Sequence, residues 1–363
     1  MSIAFVTGAT GLVGSHLLYD LLQKDYRIKA LKRQQSDIMQ VRKTFGLYTG
    51  DADKLFQQIE WIDGELTDFQ SISEAVDGCD CVYHAAAVVS FSSSNREDMM
   101  RINVGSTANI VNVCIDKKIP LCHVSSIAAL GRSESGGAIT ENDLWQTAAG
   151  RSAYSHSKYK SEMEVWRGVA EGLKAVIVNP AVILGPGDWT KGSSKFFQQV
   201  YRGLRFHTPG VTAFVDVRDV SRCMIQLMEQ ERFGERYILT AGDLSYRELF
   251  VLIADNLHVK RPSIAARPWM LKAARSISWL LSTLTGKNPA LTKETAHSAF
   301  QQIRYSGEKI RKTLGYEFIS LEKSIEDCCR CFLHDHLQIA TNVNQELNGA
   351  ALNEVNPLTG NNL

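Results

Sequence analysis

The segment IAFVTGATGLVGSH (residues 3–16) constrains the fold more than any other part of the chain. An apolar run, IAFVT, leads at once into Gly8, Gly11 and Gly14, and then into the helical pattern GLVGSHLLYDLLQK. Three glycines between a strand and a helix form a turn that can wrap a dinucleotide pyrophosphate. Gly8 permits the tight turn, Gly11 lets backbone approach the pyrophosphate, and Gly14 lets helix and strand pack closely. The helix then offers unpaired N–H groups and a positive dipole end to phosphate. Thr10, Leu12 and Val13 complete the expected cofactor contacts of this turn.

The rest of the first half repeats the alternation. RIKAL (27–31), IEWIDG (59–64), CVYHAAAVV (81–89), PLCHVSS (120–126) and KAVIVNP (174–180) read as strands. Amphipathic stretches separate them, including one within 95–117 and one through 154–170. Strands alternating with helices predict an α/β fold, a Rossmann-type doubly wound parallel sheet. The strands are apolar at nearly every position, as both-face burial requires. Residues 1–180 should form this dinucleotide-binding domain, with late strands from 211–240. Residues 181–210 and 241–337 should form a smaller C-terminal substrate-binding region, and 338–363 a polar, flexible tail. Residues 268–285 place Met270, Ala273, Ala274, Ile277, Leu280, Leu281 and Leu284 on one helical stripe, read as a lid or core helix over a pocket, with a membrane-surface helix the alternative.

Charge excludes several classes of partner. Lys and Arg number 40 against 39 Asp and Glu, which gives no footprint for nucleic acid or an acidic membrane surface. No run approaches the roughly 18 apolar residues of a membrane span. The N-terminus lacks a basic segment followed by an apolar one, so a cytoplasmic location is expected. The eight cysteines are expected as reduced, mostly buried thiols. The cluster Cys328, Cys329, Cys331, His334 and His336 has ligand types that suit zinc, but its spacing is helical and no metal is expected.

Two further features narrow the chemistry. An acidic residue about 20 positions past the glycine turn would favour NAD. This chain has Lys32 and Arg33 instead, which suit a 2′-phosphate and point to NADP(H), with NAD(H) the alternative. Tyr154 and Lys158 stand four apart in AYSHSK, on one face of a helix.

Taken together, these residues resemble an extended short-chain dehydrogenase/reductase of the NAD-dependent epimerase/dehydratase superfamily. The spacing G-x-x-G-x-x-G at 8–14 matches that superfamily. GELTD (64–68) resembles its adenine-binding segment, with Glu65 replacing the usual Asp and Leu66 beside it. YHAAA (83–87) resembles the strand along the cofactor, which implies contacts from Ala85, Ala86 and Ala87; Pro180 in NPAVILGPGD is a later landmark. VSSIAALG (124–131) resembles the active-site strand and YSHSK the Y-x-x-x-K signature. The resemblance implies Ser126, Tyr154 and Lys158 as catalytic residues, with Tyr154 and Lys158 also touching cofactor and Asn103 in support. The chain is most similar to the dihydroflavonol-4-reductase-like group, through Ser157, Lys158, Glu162 and Trp166 after the tyrosine.

This implies an NADPH-dependent oxidoreductase that reduces a ketone or aldehyde of a small, fairly apolar molecule. Tyr154 would give the proton, Lys158 would lower its pKa, and Ser126 would donate to the developing alkoxide. Val89, Phe91, Ile127, Trp189 and Phe196 are expected to line the substrate pocket, and His84 to be structural. A homodimer is kept as an option. The alternatives are a nucleotide-sugar or hopanoid-associated sugar epimerase and a 3-beta-hydroxysteroid-dehydrogenase-like enzyme. A dehydratase would need acidic groups beside the serine, where this chain has Ile127 and Ala128. A diphosphate-holding Arg is absent two residues before Phe214, where Thr212 stands.

Overall fold

The computed structural model describes residues 1–88, 96–133, 136–146, 152–270 and 299–353, with Arg96 and 338–353 as backbone. The first half runs β1 (Ile3–Thr7), α1 (Leu12–Gln23), β2 (Arg27–Lys32), α2 (Met39–Gly46), α3 (Ala52–Phe56), β3 (Ile59–Asp63), α4 (Phe69–Ala75) and β4 (Cys81–His84). It continues through α5 (Arg96–Met100), a π-helical turn (Arg101–Gly105), α6 (Ser106–Lys117), β5 (Leu121–Val124), a 3-10 turn (Ile127–Ala129), α7 (Ala153–Ala170) and β6 (Ala175–Pro180). The second half runs β7 (Val182–Leu184), α8 (Lys195–Tyr201), β8 (Phe206–His207), β9 (Val211–Asp216), α9 (Val217–Glu229), β10 (Glu235–Leu239) and β11 (Gly242–Ser245). It ends with α10 (Tyr246–Asn256), β12 (Ile264–Ala265), α11 (Glu308–Leu314) and α12 (Leu321–Asn353).

Seven strands form the central sheet in the order β10-β6-β5-β4-β1-β2-β3. Every pairing in it is parallel. The chain winds outward from β1 in both directions, so the strand order reverses between β1 and β4. Ligands of such sheets bind there, beyond the carboxyl ends of the strands.

Strand periodicity sorts the core into two layers. Ala4, Val6, Cys122, Val124, Val176 and Val178 belong to the apolar cluster that also takes in Leu17 of α1 and Met224 of α9. Phe5, Leu121, Ala175 and Ile177 point the other way, against Ile72 of α4, Ile110 of α6 and Val165 of α7. The near-continuous apolar strands are therefore covered on both faces.

Only one of the two expected late strands joins this sheet. β10 extends it beyond β6, whereas β9 pairs with β7 and β11 in a separate three-stranded sheet. The chain changes sheet just after Ala181, whose N–H still donates to the Leu239 carbonyl of β10 over 2.9 Å. A third apolar cluster covers that small sheet, with Phe214 of β9 packed among residues of α8, α10 and α12.

The tail expected to be flexible from 338 has helical backbone as far as Asn353, as a continuation of α12. Of the amphipathic stretch 268–285, residues 271–285 lie outside the described residues. Among the described residues, no helix is long and apolar enough to cross a membrane.

Candidate active site

The glycine turn sits at the switch point. Gly8 has φ +70°, and a Cβ there would stand 2.6 Å from the Ala86 backbone nitrogen. Only glycine lets the end of β1 lie so close to the exit of β4. Gly11 is exposed at the apex, where its N–H donates to the Gly8 carbonyl over 2.9 Å. A Cβ at Gly14 would fall 2.1 Å from the Gly8 carbonyl oxygen, so α1 packs against its own turn. Leu12 and Val13, half-buried, open the helix, and Thr10 is half-buried in the turn. Leu12 also backs onto the loop after β7, where a Cβ at Gly187 would meet it at 3.1 Å.

The parallel register places Thr7 opposite His84. Thr7 Oγ1 bonds His84 Nδ1 at 2.7 Å, and His84 Nε2 lies 3.1 Å from Thr107 Oγ1. Thr107 donates onward to the Asn103 carbonyl, so it accepts from His84 Nε2–H. His84 Nδ1 then accepts from Thr7, which in turn receives the Ala86 N–H at 3.4 Å. Burial pushes the His84 imidazole down to about 3, and the nearby Lys158 charge adds to this. His84 is thus a neutral tie between β1, β4 and α6. Ala85 joins the same turn through its N–H to the Thr7 carbonyl.

The other half of the site is built on β5 and α7. Ser152 caps α7 by accepting the Ser155 N–H, which sets Tyr154 in the first turn and Lys158 one turn deeper. Ser126, just past β5, accepts the Ala128 N–H at 3.1 Å and hydrogen-bonds the Tyr154 side chain. Lys158 is 4% exposed, and its ammonium donates to the Val124 carbonyl over 2.8 Å. Burial pulls it down to about 8, against the opposing field of Glu162.

One expectation needs correction. Burial pushes the Tyr154 phenol above its ordinary value, and the hydrogen bond from Ser126 pulls it back. The Lys158 ammonium is turned to the Val124 carbonyl.

Asn103 is positioned by the π-helical turn, a local geometry frequent at functional sites. Its side chain pins the backbone of Val88 with two bonds, 2.7 Å to the N–H and 3.0 Å to the carbonyl. It also donates to Ser157 over 3.1 Å. A network that single motifs do not reveal lies behind Lys158. Glu162 is fully buried and accepts from Ser125 (2.7 Å), Asn179 (2.8 Å) and Arg236 (2.8 Å). Asn179 also donates to the Ser126 carbonyl, so β6 fixes the residue beside the phenol. Arg236 comes from the edge strand and has no sequence signature of its own.

The expected adenosine contacts sit beyond β2 and β3. Lys32 is already ion-paired with Asp63. The Arg33 guanidinium, exposed, has no ion pair or hydrogen bond among the described residues. Glu65 is exposed, and Leu66 is held by Asn109, which donates to its carbonyl over 3.0 Å. Ala87 is exposed and Pro180 buried at the end of β6.

Of the residues expected to line a substrate pocket, Ile127 lies in the central core, and Trp189 and Phe196 belong to the third apolar cluster. Val89 and Phe91 lie outside the described residues. Trp189 is buried because α12 covers it: its indole donates to Asp335 over 2.7 Å and packs edge-on against Phe197 and Phe332. Phe196 packs against Phe250 and Tyr246. A cavity of about 510 Å³ lies elsewhere, lined by His207, Asp243, Arg247 and Arg304 among others. The cysteines are all free, and Cys328 and Cys329 are buried with their thiols pushed up by burial, Cys329 to about 12. His336 stacks on Phe332.

A seven-stranded parallel sheet with a glycine turn at its switch point and a Ser-Tyr-Lys set beyond β5 defines the extended short-chain dehydrogenase/reductase class. The chain belongs to the NAD dependent epimerase/dehydratase family, whose sequence model matches residues 4–240. It is 26% identical over 338 residues to a Synechocystis sp. protein with the provisional name dihydroflavonol 4-reductase, covering 90% of this chain and 94% of that one. It is 28% identical to sterol demethylase protein B of Methylococcus capsulatus, over 74% of this chain and 78% of the relative. Among solved structures, gox2253 superposes with a TM-score of 0.75 at 26% identity, covering 92% of this chain and 99% of the other.

Proposed function

We propose that the protein is an NADPH-dependent reductase of a ketone or aldehyde carried on a small, fairly apolar molecule. The observation that carries this reading is the hydrogen-bonded pair Ser126–Tyr154 at the end of β5, with the Tyr154 phenol pushed up by burial. A phenol held in its protonated form suits proton donation to a nascent alkoxide, the reduction direction. The bound nicotinamide cofactor supplies the hydride. Ser126, already hydrogen-bonded to the phenol, orients the carbonyl oxygen and stabilises its developing charge. Lys158 lies on the same helix face and would hold the cofactor ribose. Asn103 keeps Val88 and the β4 exit in place beside it.

The chain fits the cofactor. The Gly8–Gly14 turn leaves no room for a Cβ at either end and exposes Gly11 at its apex. Arg33 carries the free cation for a 2′-phosphate, since Lys32 is committed to Asp63. The name of the Synechocystis relative supports a reductase, and that of the Methylococcus relative makes a sterol-like carbonyl a reasonable member of the first test panel.

The test is a panel of flavonoid, sterol and aryl carbonyl compounds with NADPH, followed by cofactor absorbance, with Tyr154→Phe as control. The expected result is carbonyl-dependent oxidation of NADPH that the variant loses. Interconversion of a sugar nucleotide without net cofactor change would replace this reading with an epimerase.

A further inference from the structure

Glu162 is one of several buried charges that the proposed reaction does not use. Glu162 lies one turn beyond Lys158 on α7 and is fully buried. Four donors converge on its carboxylate: Ser125 and Asn179 on Oε2, Arg236 (2.8 Å) and Trp166 (3.3 Å) on Oε1. Arg236 is anchored in turn to the Glu141 carbonyl, and the Glu141 carboxylate accepts the Ile238 N–H over 2.8 Å. Two strands, β6 and β10, the residue just past β5 and α7 itself thus supply donors to one carboxylate. Such a residue is costly to bury for packing alone, because each lone pair has to be matched.

The surroundings of Lys158 show what the carboxylate faces. His84 on β4 and His123 on β5 are both held neutral, chiefly by burial. They stack with ring centroids 5.3 Å apart. From α7 itself come Tyr154 and Glu162, and from β10 Arg236. Among these groups Glu162 supplies the negative charge that favours the ammonium. The Lys158 ammonium itself donates to the neutral Val124 carbonyl.

We propose that Glu162 is a positioning residue: its carboxylate, fixed by Arg236, Ser125 and Asn179 one helical turn from Lys158, keeps the buried Lys158 amine protonated. The inference rests on the reductase reading for its catalytic meaning, but not for its test. Lysine-selective ¹³C NMR of the full chain, with Lys158 assigned by Lys158→Met, follows the amine directly. The wild-type midpoint should fall near about 8. Glu162→Gln should lower it by about 1 in pH or more. Glu162→Asp, which keeps the charge and retracts it, should fall between the two. If Glu162→Gln does not fold, the Asp variant decides. Arg236→Lys should leave the midpoint where it is.

In the carbonyl assay, the alkaline limb of kcat/KM should move to lower pH with the midpoint, because activity is lost as Lys158 deprotonates. A folded Glu162→Gln protein with reduced Tm and an unmoved Lys158 midpoint would make Glu162 purely structural and overturn the proposal. A wild-type protein that reduces no carbonyl would break the reductase reading alone, since the NMR midpoints still decide the role of Glu162.

Discussion

The β5–α7 region and the α8–α10–α12 region are both buried, yet they are held together by opposite means. Around Lys158 the interior is polar: Lys158, Glu162, His84, His123 and Asn179 are all buried. Around Trp189 it is apolar and aromatic, with Phe197, Phe214, Phe250 and Phe332 in one cluster and Asp335 beside them. In the first region each position demands one side-chain type, because a mismatched donor or charge inside protein is costly. In the second, many apolar residues of similar volume would serve. The proposed function puts its chemistry in the first region, while the second is held by shape.

Substitutions can break that contrast. The largest effect is expected at Tyr154. Tyr154→Phe removes the proton donor and keeps the ring, so kcat should fall by about 10²- to 10⁴-fold. Affinity for NADPH, measured by fluorescence titration, should be nearly unchanged. Phe332→Ala tests the other region. Phe332 is fully buried against Trp189 and Tyr201, and its loss should cost about 3–5 kcal/mol of stability in denaturant unfolding. The same variant, assayed where it is still folded, should keep its kcat. A matching loss of rate would show that the aromatic cluster is part of the site.

Arg33→Asp should sharpen the cofactor assignment. Removing this cation, which has no ion pair among the described residues, should reduce the preference for NADPH over NADH by about 10- to 100-fold, read from the two dissociation constants. An unchanged ratio would move the 2′-phosphate contact elsewhere.

The smallest effect concerns stability against pH. Burial lowers Lys158 from its ordinary 10.5 to about 8, so the folded state holds its proton less tightly than the unfolded chain. That disfavours folding fully below about pH 8, and the effect vanishes as pH rises past the ordinary lysine range. Lys158→Met should then stabilise the protein at pH 7 by about 1 kcal/mol, net of the hydrogen bond to Val124. The gain should disappear toward pH 10.5, while activity is lost throughout.

The same contrast explains what was legible in the sequence. Gly8 and Gly14 are backbone requirements, and with Gly11 they read directly as a turn because a Cβ fits at neither of the two. The strands β1, β2 and β6 read from apolar runs bounded by turns. Tyr154 and Lys158 were placed by helical spacing, and the structure puts both on α7. The network behind them was not legible, since Glu162, Asn179 and Arg236 lie on three elements and meet only through the sheet order. Trp189 misled for the opposite reason. A large aromatic in a loop resembles a pocket wall, and only the docking of α12 shows it to be core. β9 misled because its apolar pattern fits either sheet, and its pairing with β7 and β11 appears only in the structure.

The central claim is that hydride leaves the nicotinamide ring for a substrate carbon while Tyr154 supplies the proton. The most direct measurement uses NADPH deuterated at the transferring C4 position, with a carbonyl from the panel, and mass spectrometry of the product. The account predicts an alcohol that carries one deuterium on the former carbonyl carbon, formed in step with NADPH oxidation and abolished in Tyr154→Phe. An alcohol without deuterium, or a sugar nucleotide epimerised with no net change in cofactor, would contradict it.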